Sequence, residues 1–397
     1  MSKHRITDNT NLFITLLSLF FIWGFITLMN DLLLPILKEQ FSLTYFQAMF
    51  INFCFFISYG LFSIPASRVL KKYNYKIVII SGLLIISLGA IIMKTVYQYS
   101  NYYLLLLGLT IIAIGVICLQ VSANPLMNDL GHKRTSSARL TLAQGINSLG
   151  YIVAPYLFAH IILRDNISPI YISIALVLVA LSIFLSFVSF SKQKNINSEK
   201  SETTTFSVTK TNNFLVLMGI ISIFAYVGAE VSAGSLIINY ATSLESSSYT
   251  ITTASSLLIF YWGGAMVGRL FGSYLLKKYT PTNLLLLFAI INILLIITVS
   301  FGMGHTSLYA LLALGLFNSI MFPTIFSLTL MNTTVESQEK VSGYLITAIV
   351  GGAFIPLLQG KAADLIGLDS SFYILLPCYL IVAIFAILCK KNKDLFS

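Results

Sequence analysis

The chain has 397 residues, of which 57% are hydrophobic and 10% charged, with a formal net charge of +10 and a mean hydropathy of +0.88. Soluble domains carry about 25% charged residues, so these charges cannot cover a soluble protein of this length, and lipid must solvate most side chains. The positive residues sit in loops between apolar runs, which excludes a nucleic-acid surface and points to orientation in a bilayer.

At the N-terminus, Lys3, His4 and Arg5 precede an apolar run. The run is too long for a signal peptide and lacks a small-residue cleavage site, so it reads as a retained first helix. A membrane helix needs about 20 mostly apolar residues, and a spanning backbone must satisfy its own hydrogen bonds. Twelve runs meet this, near 12–37, 46–70, 76–96, 102–128, 138–163, 169–190, 213–241, 250–276, 282–303, 307–333, 340–366 and 370–390. The expected fold is an all-α membrane protein with twelve transmembrane helices in two pseudo-symmetric six-helix bundles. With both termini cytoplasmic, twenty of the 24 Lys and Arg residues fall inside. Only Lys38, Lys94, Arg164 and Lys361 fall outside, which obeys the positive-inside rule.

One long polar connection interrupts the pattern. Residues 191–212 are rich in Ser, Thr, Asn and charge and cannot bury apolar surface, so they read as a cytoplasmic linker. It separates an N-terminal bundle (1–190) from a C-terminal bundle (213–397). The halves share features. Leu70-Lys71-Lys72-Tyr73 follows the second helix and Leu276-Lys277-Lys278-Tyr279 the eighth. Gln120 precedes Pro125 as Asn318 precedes Pro323, and Pro155 pairs with Pro356. Such repeats place a site near the bilayer midplane between the halves. Pro125, Pro323 and Pro356 are expected to shape or gate helices that bend.

Ionisable groups within hydrocarbon are costly, about 2.5–3.5 kcal/mol on insertion scales. Asp31 in helix 1 and Glu230 in helix 7 are the acidic residues well inside expected spans. A carboxylate beside a low-dielectric cavity can take a proton from one side and release it to the other. Both are therefore candidates for ion coupling, and Glu230 also for substrate binding. The alternative is an inter-helix bond or pairing with Arg269 in helix 8, whose expected role is structural or gating. Amides donate and accept at once, as sugar hydroxyls do. Asn30, Gln120, Asn124, Gln144, Asn147 and Asn318 are the candidate substrate contacts, although amides also tie membrane helices together. Trp262, with Tyr261 and Phe322, offers faces for a pyranose ring.

The four cysteines, Cys54, Cys118, Cys378 and Cys389, have neither metal-ligand nor disulfide-framework spacing. His4, His132, His160 and His305 build no catalytic constellation, and no HExxH, GxSxG or phosphate loop appears. Neither an enzyme nor a resident metal or cofactor is expected.

The motifs themselves are specific. Asn124-Pro125 with Arg139–Ser148 (RLTLAQGINS), Tyr226–Ser232 (YVGAEVS), Tyr261–Arg269 (YWGGAMVGR), Asn318–Phe326 (NSIMFPTIF) and Gly351-Gly352-Ala353 with Pro356-Leu357 run in order along the chain. They resemble the fucose/galactose/glucose:cation symporter family of the major facilitator superfamily, and Tyr261–Arg269 is close to the pattern of its glucose/galactose branch. The resemblance implies import of a simple hexose by rocking of two six-helix bundles, coupled to a proton or sodium. In the fucose branch a helix-1 Asp and a helix-4 Glu serve coupling and recognition. Asp31 matches the first. Gln120 stands in place of the second and cannot titrate, so Glu230 is expected to take over part of that task. The expected setting is a bacterial inner membrane, with a sugar and the lipid bilayer as partners and the chain working as a monomer. A drug or metabolite exporter on the same fold and a non-transporting membrane sensor are the competing readings. The sensor would want a soluble output module larger than the tails or linker.

Overall fold

The computed structural model describes residues 12–27, 45–99, 101–162, 168–187, 211–244, 249 and 251–392. Backbone groups away from water must bond within their own segment, and the apolar runs accordingly form helices. Among the described residues there is no strand.

The described residues form twelve helices. In the first half these are α1 (Leu12–Thr27), α2 (Tyr45–Lys72), α3 (Tyr75–Tyr99), α4 (Tyr102–Asp129), α5 (Ser136–Ile162) and α6 (Ser168–Phe187). The second half begins with α7 (Asn213–Ser243), α8 (Ile251–Ser256 continued by Leu258–Lys278) and α9 (Pro281–Ser300). It ends with α10 (His305–Met331), α11 (Val335–Ile366) and α12 (Leu368–Lys391). Eight of the twelve are long and apolar enough to cross a membrane on the described residues alone. The far part of the expected first helix, with Asn30 and Asp31, lies outside the described residues, as does linker segment 191–210.

Three helices are less regular than their apolar runs suggest. The start of α8 is a short Thr- and Ser-rich helical segment, Ile251–Ser256, set off by Leu257. The Ser256 hydroxyl there donates to the Thr253 carbonyl at 2.7 Å, a local alternative to the helical ladder. α10 breaks at Ser319-Ile320 between His305–Asn318 and Met321–Met331. Pro323 cannot donate to the carbonyl four residues before it, that of Ser319, so the ladder opens there. α11 passes through a 3-10 turn, Ala348–Val350, before the segment that contains Pro356. Pro125, by contrast, lies within an unbroken α4.

Exposure sorts the helices into layers. On α3, Leu84, Leu88 and Ile91 form an exposed apolar stripe at helical spacing. Leu287, Ile290 and Leu294 repeat it on α9, and Leu380, Ile384 and Ile387 on α12. Leu176 and Ile183 on α6 belong to the same outer layer. In water such stripes would be a liability, whereas in lipid they are the solvated face. α4 and α10 lie inside, with nearly all of Gly115–Asn128 and Asn318–Met331 buried.

Within the first half α3 packs closely on α4. A Cβ on Gly115 would lie 2.6 Å from the Gly82 carbonyl and 2.8 Å from the Ile86 nitrogen. The backbones meet where both chains lack a side chain, as small residues allow in membranes. Gly115→Val is expected to lower stability by about 1–3 kcal/mol through overpacking, read as a lower melting temperature of the detergent-solubilised protein.

The two halves touch along α5–α8 and α2–α11, and at one end through α4–α11 and α5–α10. That end carries the start of α7, where Asn212 N donates to the Asn332 carbonyl at 3.0 Å. The Ser136 and Ser327 hydroxyls bond across that end, and Ser342 Oγ donates to the Val121 carbonyl over 3.3 Å. Arg139 secures the end of α4, with Nη2 donating to the Asn128 carbonyl at 2.6 Å and Nη1 to that of His132 at 2.9 Å. The Asn128 carbonyl is among those the C-terminus of α4 leaves without intrahelical donors, and the His132 carbonyl belongs to the turn that follows. Asn212 caps α7, its Oδ1 accepting from Leu215 N at 3.2 Å.

Candidate functional site

The expected acid of helix 7 lies near the junction of the halves. Glu230 is 13% exposed, with Oε1 3.6 Å from Nη2 of Arg269 on α8. Arg269 Nη1 also donates to Ser148 Oγ on α5, in the other half. The ion pair is thus nearly buried and sits on the α5–α8 seam. Beside it, Tyr151 of α5 stacks on Trp262 of α8, with centroids 6.1 Å apart and planes at 18°. Trp262 is half-buried and also meets Tyr261 edge-on at 5.1 Å.

Behind Glu230 a polar frame joins five helices of the second half. Asn318 is its hub. Asn318 Nδ2 donates to Tyr261 Oη at 3.2 Å. Its Oδ1 accepts from Asn292 Nδ2 of α9 at 2.8 Å and from Tyr379 Oη of α12 at 2.9 Å. Its carbonyl, at the break in α10, accepts from Tyr226 Oη at 3.1 Å. Tyr261 Oη in turn donates to the Glu230 carbonyl at 2.9 Å. Asn292, Asn318, Tyr226, Tyr261 and Tyr379 are all 0% exposed, so the frame takes the place of water for their side-chain polar atoms apart from Asn292 Oδ1, which has no partner.

The first half repeats the central bond. Gln120 Nε2 of α4 donates to Tyr59 Oη of α2 at 3.0 Å. Asn318 of α10 does the same to Tyr261 of α8. Each amide precedes its proline by five positions, and each tyrosine lies on the second helix of its half. The internal repeat therefore extends to side-chain chemistry. The difference is exposure: Gln120 is half-buried, whereas Asn318 is sealed.

The expected substrate amides separate accordingly. Gln120 and Gln144 keep exposed surface. Asn147 is 3% exposed, and its Nδ2 donates to the Phe20 carbonyl at 2.8 Å, tying α5 to α1. Asn124 is fully buried, and neither atom of its amide has a hydrogen-bond partner. Asn318, also an expected sugar contact, lies sealed in the frame. Its amide is consumed inside the second bundle because three buried groups converge on it. Tyr261 likewise offers no open face. Asn30 and Asp31 lie outside the described residues.

Sequence reasoning missed Ser148, Tyr59, Asn292 and Tyr379. Asn292 had a readable signal, since an amide in mid-run is rarely retained in hydrocarbon without a partner. Ser148 gave none, because serine is common in membrane helices and bonds its own backbone.

Comparison with known proteins agrees with this geometry. The Major Facilitator Superfamily pattern matches residues 12–349. A glucose/galactose transporter of Brucella abortus is 38% identical over 388 residues, covering 94% of this chain and 93% of the relative. The L-fucose-proton symporter of Escherichia coli is 30% identical over 404 residues, covering 94% and 92%. The crystal structure of the fucose:proton symporter FucP in the outward conformation superposes with a TM-score of 0.84 at 29% identity, covering 96% of this chain and 99% of that one. With twelve helices in two matching bundles, family motifs in order and these relatives along almost its whole length, the chain belongs to the fucose/galactose/glucose:cation symporter family of the major facilitator superfamily.

Proposed function

We propose that the protein is a secondary active transporter that imports a simple hexose, of the glucose, galactose or fucose type, by proton symport with alternating access. The observation that carries this is the Glu230–Arg269 pair on the seam between the halves. A carboxylate kept nearly buried in a bundle junction is a costly feature with a use in ion coupling. Gln120, Gln144 and Trp262 supply amides and an aromatic face for the sugar, and Asp31 is the coupling group of the first half. The symporter relatives favour the proton over sodium.

The 191–212 linker separates the two moving bodies, 1–190 and 213–397. With both termini cytoplasmic in a bacterial inner membrane, the bonded linker-side end makes this a state closed to the cytoplasm. That agrees with the outward conformation of the superposed symporter. On this reading the protein works as a monomer.

The test is uptake and counterflow in proteoliposomes with a panel of labelled hexoses, with an inward proton gradient and with sodium varied separately. Accumulation is expected to follow the proton gradient and to collapse when a protonophore removes it. Accumulation that follows sodium alone overturns the choice of ion, and efflux without hexose uptake overturns the importer. Gln120→Ala is expected to raise the KM for the preferred hexose about tenfold, from loss of one amide contact worth about 1.4 kcal/mol, with protein yield unchanged.

A further inference from the structure

Arg269 is 8% exposed and serves both halves of the molecule. Its Nη1 donates to Ser148 Oγ across the seam, while its Nη2 lies 3.6 Å from Glu230 Oε1 within its own half. A separation of 3.6 Å is a charge pair and not a hydrogen bond, and Glu230 Oε1 has no hydrogen-bond partner. The guanidinium is therefore bonded to the opposite bundle and held to its own only by charge.

The local structure is built for this. Ser148 Oγ donates its own proton to the Gln144 carbonyl at 3.0 Å, which leaves its lone pairs for the guanidinium. One turn earlier stands Gly145, where a Cβ would lie 2.8 Å from Leu270 Cδ2 and 3.6 Å from Arg269 Cβ. A larger residue there would hold α8 away from α5. Arginine suits the task because its fork presents five donors and stays charged.

We propose that Ser148 is a positioning residue for energy coupling: it shares the Arg269 guanidinium with Glu230, so that neutralising or ligating the Glu230 carboxylate gives Arg269 over to Ser148 and tightens the α5–α8 seam. This rests on the symport reading above. A bound ion or sugar shifts a conformational equilibrium only through a differential interaction with the two states. A hydrogen bond across the face on which two bundles rock is such an interaction. The role is distinct from the frame around Asn318, which lies wholly in one half and holds that half rigid.

Trp262 reports on the same seam through its stack on Tyr151. The chain has two tryptophans, so in a Trp23→Phe protein the emission comes from Trp262 alone. In that background Glu230→Gln, Ser148→Ala, both together, and Ser148→Thr are compared by Trp262 emission in detergent and by KM for hexose uptake. Glu230→Gln is expected to change Trp262 emission when Ser148 is present and to have no such effect in Ser148→Ala. Ser148→Thr, which keeps the hydroxyl, is expected to behave as Ser148 does. The two KM effects are expected to depart from additivity by at least about threefold, as for residues in one network. Additive effects on both readouts overturn the proposal. If the parent protein fails to accumulate any hexose under a proton gradient, the symport reading falls. The emission cycle, which needs no sugar, still decides whether Arg269 is shared.

Discussion

Glu230→Gln is expected to abolish accumulation of hexose above the equilibrium level while leaving counterflow at a measurable rate. Glutamine matches the shape of the carboxylate and still bonds sugar hydroxyls, but it can neither carry a proton nor balance Arg269. Exchange of sugar for sugar needs no net ion movement, so it survives, whereas uphill uptake needs the titrating group. The loss in initial proton-driven uptake should be at least about tenfold. A second effect accompanies it. Arg269 is nearly buried, and removing one partner of a buried pair costs about 3–5 kcal/mol where no water replaces it. Both side chains keep about a tenth of their surface, so part of that penalty is relieved by solvent. A melting curve run beside the transport assay separates the two effects. A Glu230→Gln protein that still concentrates hexose fully under a proton gradient would remove Glu230 from the coupling mechanism and leave Asp31 to carry it.

Asn318→Ala is expected to act on stability and not on sugar affinity. The substitution leaves Tyr379 Oη and Asn292 Nδ2 without the amide oxygen they now share, while Tyr261 Oη loses a donor but keeps its bond to the Glu230 carbonyl. Each buried polar group left unsatisfied costs about 1–3 kcal/mol. The losses are coupled, so a total of about 3 kcal/mol or more is expected. This should appear as a clear fall in melting temperature in detergent and in the yield of folded protein. The molecules that do fold should bind hexose with nearly unchanged KM. The reverse outcome, a raised KM with unchanged melting, would make Asn318 a sugar contact and show that the frame opens during transport. The comparison with Gln120→Ala is informative, because the two amides are equivalents in the repeat yet are expected to fail in opposite ways.

That contrast marks where sequence reading stopped. Gln120 and Asn318 look alike in the chain, each five residues before a proline in a long apolar run. One is half-buried and the other sealed, with Asn292 of α9 and Tyr379 of α12 bonded to the Asn318 amide. Nothing in the run around Asn318 announces those partners. Glu230 and Arg269 were legible as charges within apolar spans, and their pairing was one of the readings open. That Arg269 also reaches Ser148 in the other half was not legible. It depends on how α5 and α8 register, through Gly145 and Leu270.

The sequence by itself determined the helical, membrane-spanning class, because transfer of side chains into lipid is summed locally along the chain, and its ordered motifs determined the family. Only the tertiary structure decided which polar groups bind one another and which keep an exposed face. Hydrogen bonds and ion pairs act over a few ångströms and in fixed directions, so they are settled by how helices far apart in the chain come to lie side by side.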